Sequence, residues 1–204
     1  MGSRARREKE KANMKRVILN AATKIILEDG YDKLTMRKIA DAIDYTPTTL
    51  YLYYRDKAQI VSGILQEVYQ KITDHIIAVL AENENAPAIT RLELSLKAFV
   101  NAVVDSAEMG NAIVKSGMKT VFEPSAEDAL SGENGMVILH NILLDGQRQG
   151  VFRQLDDNVC WMLITALIGF SMDALENRRY LDANWDSLVH TYTELLVRGL
   201  LQNN

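Results

Sequence analysis

Apolar residues recur three and four positions apart along most of the chain, which is the spacing of one face of an α-helix. The alternation typical of strands is scarce, and none of the prolines, at 47, 87 and 124, interrupts a long periodic run. The pattern predicts an all-α protein with helices near 12–29, 35–43, 46–54, 58–84, 88–108, 135–149, 156–179 and 185–201. The stretch 110–134 is ambiguous and allows a short helix near 111–121 followed by a loop.

Two short predicted helices, 35–43 and 46–54, follow each other closely. Thr35 and Thr46 are suited to cap them, because a threonine hydroxyl can accept from the free amides of the first turn. Pro47 fits the first helical position, where its missing amide is not needed. This spacing is that of a helix-turn-helix, whose second helix enters the major groove of DNA.

The second helix of this pair carries small residues with hydroxyl groups and then tyrosines. Threonine hydroxyls suit phosphates or base edges, and a proline or a threonine methyl can contact a thymine methyl. A tyrosine can place its ring on a sugar and its hydroxyl on a phosphate, and a lysine adds a charge near the backbone. The candidate DNA-binding residues are Thr46, Pro47, Thr48, Thr49, Tyr51, Tyr53 and Lys57. The alternative is that tyrosines pack the small bundle, which is the role expected of Tyr54 rather than of Tyr51 and Tyr53.

The stretch 18–60 carries a set of residues whose combination is specific. They are Ala21-Ala22, Gly30-Tyr31, Leu34-Thr35, Arg37-Lys38-Ile39-Ala40, Thr46, Thr49-Leu50-Tyr51, Tyr53-Tyr54 and Lys57. With this set the stretch resembles the N-terminal domain of tetracycline-repressor (TetR) family regulators, whereas the rest of the chain matches that family only in length and helicity. Asp44, Tyr45 and Thr48 depart from residues frequent in the family, so the base preference does not follow from the resemblance.

The resemblance implies a homodimer that binds double-stranded DNA at an operator with twofold-related half-sites. It implies a small-molecule effector, bound in a divergent C-terminal domain that dimerises through its last two long helices. It adds Thr35 and Arg37 as phosphate contacts from the start of the second helix, and assigns Lys57 the same role. The expected domains are a basic N-terminal arm at 1–12, a helix-turn-helix domain at 13–57 and an effector-binding and dimerisation domain at 58–204.

Charge is unevenly distributed along the chain. Residues 1–60 hold 13 basic and 8 acidic residues, and residues 61–204 hold 10 and 19, so a basic N-terminal part precedes an acidic body. Such a split favours contact between the N-terminal part and a polyanion. The arm that ends near Arg16 is expected either to be disordered and reach the minor groove, or to be a plain solvated tail.

The body offers no recognisable catalytic motif. It has no glycine-rich phosphate loop, and His75, His140 and His190 have no histidine partner three or four positions away. Cys160, the one cysteine, lies in an apolar helix, where it is expected to be a buried small hydrophobe. We therefore expect no cofactor, no metal and no enzyme activity.

Methionine and aromatic residues in the body are adaptable linings for an apolar ligand, although they are equally ordinary core residues. The candidate effector-pocket residues are Phe99, Met118, Phe122, Met136, His140, Trp161 and Met162. Apolar stripes on the last two long helices predict an intersubunit four-helix bundle, the alternative being that both face their own core. The candidate interface residues are Leu163, Leu167, Phe170, Leu188, Tyr192, Leu195 and Leu196.

The longest apolar stretch, 161–170, is half of the about 20 residues that a membrane-spanning helix needs, and the basic N-terminus lacks the apolar run of a secretory signal. A cytoplasmic protein without membrane association is expected. The function that the sequence favours is a DNA-binding transcriptional regulator, a repressor released by its effector. The alternatives are a regulator that answers to a protein partner, and a helical ligand-binding or catalytic protein whose N-terminal bundle is structural.

Overall fold

A computed structural model describes residues 3–106, 135–156 and 158–202. These residues form α1 (Ser3–Asp29), α2 (Met36–Ala42), α3 (Pro47–Leu50), α4 (Lys57–Glu82), α5 (Ala88–Asp105), α6 (Gly135–Arg148), α7 (Val159–Glu176) and α8 (Trp185–Arg198). Short 3₁₀ turns lie at Tyr31–Lys33 and Arg179–Leu181, and an isolated antiparallel bridge joins Phe152 to Leu201. The predicted all-α class is confirmed. The ambiguous stretch and two pocket candidates, Met118 and Phe122, lie outside the described residues.

The first helix begins at Ser3, nine residues earlier than the sequence pattern predicts. Of the two possibilities for the arm, the disordered one is therefore wrong, because residues 4–16 are helical. Arg4 and Arg6 each bind a glutamate four positions later, Glu8 at 3.3 Å and Glu10 at 2.9 Å. Ion pairs at this spacing stabilise an exposed helix by a few tenths of a kcal/mol each. The apolar periodicity begins only where α1 packs on its neighbours, so it could not mark this exposed beginning.

The helix starts in the N-terminal half follow the local signals in the sequence. The Thr35 hydroxyl accepts from the amide of Lys38 at 3.1 Å, and the Thr46 hydroxyl accepts from the amide of Thr49 at 3.2 Å. Asp56 does the same for α4, because its Oδ1 accepts from the Gln59 amide at 2.8 Å. Each cap satisfies an amide that would otherwise lack a partner. The caps place the three helices at fixed points along the chain.

The described residues divide into two compact units, and the division falls within α4, after Val68. The first unit packs α1, α2, α3 and the first turns of α4 around residues that are completely buried: Ile18, Ala22, Ile39, Ala40 and Ile60. Gly63 allows close packing there, since a Cβ at this position would lie 3.1 Å from a Leu19 methyl. This unit is the small helical bundle that carries the helix-turn-helix.

The second unit packs α5, α6, α7 and α8 around one apolar core. Its fully buried members include Leu92, Leu96, Val100, Leu139, Leu163, Leu167, Val189 and Val197. Phe152, 2% exposed, lies against Gly146 of α6, where any Cβ would collide with its ring. The Arg153 amide then donates to the carbonyl of Leu200 at 3.0 Å, which ties the segment after α6 to the end of α8.

Helix α7 is mostly apolar, with Asp173 and Glu176 exposed near its end. It is the one helix among the described residues that is long and apolar enough to cross a membrane by length and composition, with a mean hydropathy of 1.5 over 18 residues. Only 39% of this stretch is buried within the chain. A core helix of a soluble protein passes the same test, and its inner face is the one that carries Leu163 and Leu167. Its outer face therefore exposes apolar surface that the single chain does not cover.

Candidate nucleic-acid interface

The turn between α2 and α3 is held by backbone contacts to the end of α2. Asp44 has a positive φ of 56°, a left-handed conformation that aspartate tolerates better than most residues. The amide of Tyr45 then reaches back to the carbonyl of Ala40 at 3.0 Å, which closes the end of the helix. Tyr45 itself is 44% exposed. The turn therefore changes the chain direction sharply just before Thr46. It leaves the ring of Tyr45 partly exposed next to the start of α3.

The segment that follows, 46–53, here named the recognition segment, is anchored at two buried positions, one within it and one directly after it. Leu50 is 1% exposed and Tyr54 is 7% exposed, so both pack into the bundle. Before these anchors, Thr46 and Thr48 are exposed, and the hydroxyls of Thr46 and Thr49 lie 3.0 Å apart. The helix itself is only four residues long, and turns continue it to Tyr53, whose amide donates to the Leu50 carbonyl at 2.9 Å. The segment is thus fixed in position while its polar groups face outward.

Tyr51 is 55% exposed and Tyr53 is half-buried, so the structure leaves both rings partly accessible. Leu52 between them is 74% exposed, the largest exposure among the exposed large apolar side chains of the described residues. Leu52 is not among the DNA-binding residues that the sequence predicts. The available signal was its spacing, since Leu52 follows the exposed Thr48 by four positions, one helical turn. A leucine left in water at this place is a candidate for apolar contact with a sugar or a thymine methyl.

Tyr54 has the buried role that the sequence predicts for it. Burial, followed by the charge of Glu67, raises the pKa of its hydroxyl to about 12. The ammonium of Lys15 lies 5.6 Å from its ring centroid, a cation–π contact between α1 and the end of the recognition segment. The hydroxyl therefore stays protonated at neutral pH, and the ring serves the packing of the bundle.

The two phosphate-contact candidates at the start of α2 have different surroundings. The Thr35 hydroxyl is engaged as the cap of α2 but is exposed. The Arg37 side chain is 86% exposed and has only a long contact to Asp41, 4.0 Å from Nε to Oδ2. Beside it, Lys38 binds Asp29 of α1 at 2.6 Å. Arg37 is therefore a cation with its guanidinium in solvent, whereas Lys38 ties α2 to α1.

Lys57 has a partner within the protein. Its Nζ donates to the carbonyl oxygen of Tyr31 at 2.9 Å and lies 3.9 Å from the centroid of the Tyr31 ring. Asp56, next to it, accepts from the Gln59 amide and from Arg55, and these bonds lower the pKa of its carboxyl. The start of α4 is therefore capped on one side and bound to the Tyr31 turn on the other. This geometry differs from the free phosphate-binding lysine that the resemblance implies.

The pocket candidates in the second unit are not gathered in one place. Phe99 and Met136 are partly buried against the apolar core. His140 is exposed, and Trp161 and Met162 are 57% and 56% exposed, so these three face solvent in the single chain. The described residues form a different cleft of about 470 Å³, lined by Phe170, Asp173, Ala174, Asn177, Arg179 and Leu188. His140, Trp161 and Met162 lie on the outside because α6 and α7 present other residues to the core.

The interface candidates separate into two groups. Leu163 and Leu167, 4% and 2% exposed, belong to the core of their own chain, so the expectation that they face a second copy is corrected. Leu195 is 65% exposed and lies on the outer side of α8. The remaining candidates are partly buried: Phe170, Leu188, Tyr192 and Leu196. An apolar helix conceals which of its faces is internal, and this explains the error on α7.

A capped helix pair with an outward-facing second helix on a compact bundle defines a helix-turn-helix DNA-binding domain. Residues 18–64 match the family model described as bacterial regulatory proteins, tetR family. The N-terminal unit therefore carries the DNA-binding helix-turn-helix of the TetR family of bacterial regulatory proteins, as the sequence predicts.

Solved structures of other proteins share this fold along most of the chain. The fatty acid degradation regulator FadR from Bacillus halodurans is 22% identical, with a TM-score of 0.68 over 90% of this chain and 94% of that chain. A TetR-family transcriptional regulator from Pectobacterium atrosepticum is 16% identical, with a TM-score of 0.71 over 96% and 97%. RolR in complex with resorcinol is 16% identical, with a TM-score of 0.67 over 95% and 90%. No match to a curated protein was found by sequence.

Proposed function

We propose that the chain is a repressor that binds a palindromic operator as a homodimer and is released by a small molecule. The observation that carries the proposal is the segment 46–53, whose Leu50 anchor is buried while Thr48, Tyr51 and Leu52 face solvent. Such a segment is suited to reading a groove of duplex DNA, because it is held in place while polar and apolar side chains face outward. Such a protein acts by binding DNA, not by catalysis, and it does so in the cytoplasm.

The proposed DNA contacts divide into base reading and phosphate positioning. Thr46, Pro47, Thr48 and Thr49 are small enough to approach base edges, and Leu52 adds an apolar contact. Thr35, Arg37, Tyr51 and Tyr53 are proposed to position the domain on the phosphate backbone. The exposed Arg37 guanidinium and the net positive charge of residues 1–60 support this part of the proposal. Affinity should accordingly fall steeply as salt rises.

The outer faces of α7 and α8 support the proposed homodimer. Trp161 and Met162 on α7 and Leu195 on α8 are each more than half exposed, and only 39% of α7 is buried within the chain. Large exposed apolar side chains that form a patch mark a surface that binds another protein. Packing these two helices against their symmetry copies would cover the exposed side chains in a four-helix bundle. Two recognition segments could then meet successive major grooves about 34–36 Å apart.

The release by a small molecule is supported by the fold that the chain shares with regulators that bind such compounds. RolR, solved with resorcinol, is one of them. We propose that the second unit of this chain holds an organic effector, and that binding favours a conformation with wrongly spaced recognition segments. A coupling of roughly 1–3 kcal/mol is enough to change operator affinity 5–150-fold.

The test is selection of duplexes from a random pool by the purified full-length chain, followed by fluorescence anisotropy on the selected sequence and on the DNA upstream of its own coding region. The proposal expects a recovered inverted repeat, bound far more tightly than a scrambled duplex. Tyr51→Phe should weaken this binding roughly ten- to 150-fold, the effect of one hydrogen bond to a charged group. Tyr180→Phe, in the other unit, is the matched control and should leave the affinity unchanged. Failure to recover any sequence would favour the helical ligand-binding protein instead.

A further inference from the structure

The recognition segment contains no charged and no amide side chain. Its residues, 46–53, are threonine, proline, leucine and tyrosine only, and the nearest charged residues along the chain are Asp44 and Arg55. In the major groove arginine and lysine pair best with guanine, asparagine and glutamine with adenine, and carboxylates with cytosine. None of these pairs is available to the segment. Its base contacts therefore depend on hydroxyl groups and on apolar surface.

Two of the three threonine hydroxyls in the segment are engaged within the protein. The Thr46 hydroxyl accepts from the Thr49 amide at 3.2 Å, and the hydroxyls of Thr46 and Thr49 share a hydrogen bond of 3.0 Å. A hydroxyl has one proton and two acceptor positions, so these contacts use much of what the pair offers. Thr48 is exposed, and its hydroxyl has no hydrogen-bond partner among the residues that the structure describes. The polar groups that the segment turns outward are therefore few.

The outward side of the segment is mainly apolar. Leu52 is largely exposed, although it lies between the buried anchors Leu50 and Tyr54, and it follows Thr48 by one helical turn. Tyr45, directly before the segment, is also exposed. Leaving a leucine in water forgoes the free energy of its burial, which is recovered only against another apolar group. On the base edges of the major groove that group is the C5-methyl of thymine.

We propose that the recognition segment selects its operator through the methyl groups of thymines, which Leu52 and Thr48 contact. The inference rests on the proposed function, because it names the bases that the same segment reads. The Thr48 hydroxyl can donate or accept, so it does not distinguish the O4 of thymine from the N4 of cytosine. Selectivity at these base pairs therefore comes from the methyl group. Arg37 and Arg55 lie outside the segment, and the bases that they reach are not part of the proposal.

The first test removes the methyl groups from the DNA. In the duplex selected by the wild-type chain, each thymidine of a half-site and its symmetry equivalent are replaced in turn by deoxyuridine, which keeps every hydrogen-bonding group. Loss of one buried methyl weakens binding about fourfold, so a sensitive pair of positions should weaken it about fifteenfold in fluorescence anisotropy. Deoxyuridine outside the protected half-sites is the control and should change nothing. The proposal is overturned if no replacement within the half-sites weakens binding.

The second test separates methyl contact from a preference for A·T pairs that arises from DNA shape. A narrow minor groove or a flexible base step also favours certain A·T-rich sequences. At a position where deoxyuridine weakens binding, the T·A pair is replaced by C·G, with either cytosine or 5-methylcytosine. The 5-methylcytosine duplex should recover most of the affinity that the cytosine duplex loses, because it restores the methyl group. Equal binding of the two duplexes would contradict the proposal.

The third test removes the leucine from the protein. Leu52→Ala alters an exposed side chain, so the fold should be kept, which circular dichroism checks. Deoxyuridine should then have no further effect at one or more of the sensitive positions, since the contact is already lost. Leu181→Ala, which removes a leucine that is 68% exposed in the second unit, is the matched control and should keep the full sensitivity. Full sensitivity of Leu52→Ala at every position would refute the role of Leu52.

The two hypotheses fail differently. If the wild-type chain selects no duplex, the proposed function fails. If it selects a duplex that binds equally well with deoxyuridine in place of every thymidine, the proposed function stands and only the thymine contact fails.

Discussion

The ring of Phe170 on α7 is stacked on the ring of Tyr192 on α8, with centroids 4.0 Å apart and planes inclined by 8°. Phe170 also stacks on Trp185 at 5.8 Å, so three aromatic rings join the two last helices. Tyr192 is partly buried, and this burial raises the pKa of its hydroxyl. We propose that these two helices form the dimer interface. The stack holds them against each other within the single chain.

We predict that Phe170→Leu destabilises the chain by about 0.5–1.5 kcal/mol beyond the loss of buried area, because stacked aromatic pairs contribute that much. Tyr192→Phe keeps the ring and should have a small effect, whereas Tyr192→Leu should lose the one stack on Phe170 and cost less than Phe170→Leu, which also loses the stack on Trp185. Urea denaturation followed by circular dichroism measures the differences. Equal stabilities of all three variants would show that the stack contributes nothing of its own.

Gly146→Ala should destabilise the second unit, although alanine is normally the better helix former. The added Cβ would collide with the Phe152 ring, and overpacking a tight core costs about 1–3 kcal/mol, more than the roughly 1 kcal/mol gained in helix propensity. Thermal unfolding measures the outcome. The matched control is the same substitution in a Phe152→Leu background, where the smaller side chain should remove most of the penalty; a cost that persists there would contradict the collision.

Substitutions of two exposed leucines should affect dimerisation and DNA binding separately. Leu195, 65% exposed on α8, is proposed to lie in the dimer interface, and Leu52, 74% exposed, is proposed to contact DNA. Leu195→Glu should give a monomer in sedimentation velocity, because a carboxylate would be buried against its symmetry copy. Leu52→Glu should remain dimeric and lose operator affinity, since its charge repels phosphate. A dimeric Leu195→Glu, or a monomeric Leu52→Glu, would refute the assignment of that face.

The sequence predicts the helix-turn-helix well because its signals are local. Thr35, Thr46 and Pro47 mark helix starts through bonds within one turn, and the structure shows the caps at those positions. The partner of Lys57 could not be predicted in this way, because Tyr31 becomes its neighbour only through packing. The burial of Leu163 could not be predicted either, since the first turns of α7 carry apolar residues at buried and exposed positions alike, with Trp161 and Met162 exposed.

The helical beginning of α1 could not be predicted from the sequence for a different reason. Residues 4–13 are exposed along their whole length, so no apolar stripe marks them as helical. Pairs such as Arg6 and Glu10 stabilise this part weakly, and composition alone equally suits a solvated tail. Whether these turns contact DNA stays a prediction, which removal of residues 1–11 and measurement of operator affinity at low salt would decide.

The most direct measurement of the central claim is hydroxyl-radical footprinting of the wild-type chain on its selected duplex. A homodimer that reads DNA through Thr46–Tyr53 should protect two symmetry-related half-sites whose centres are about 10–10.5 base pairs, or a multiple of that distance, apart. The same duplex should show no protection with Thr48→Glu, which places a charge on the exposed recognition surface. A single protected patch, or a footprint that Thr48→Glu leaves unchanged, would contradict the account.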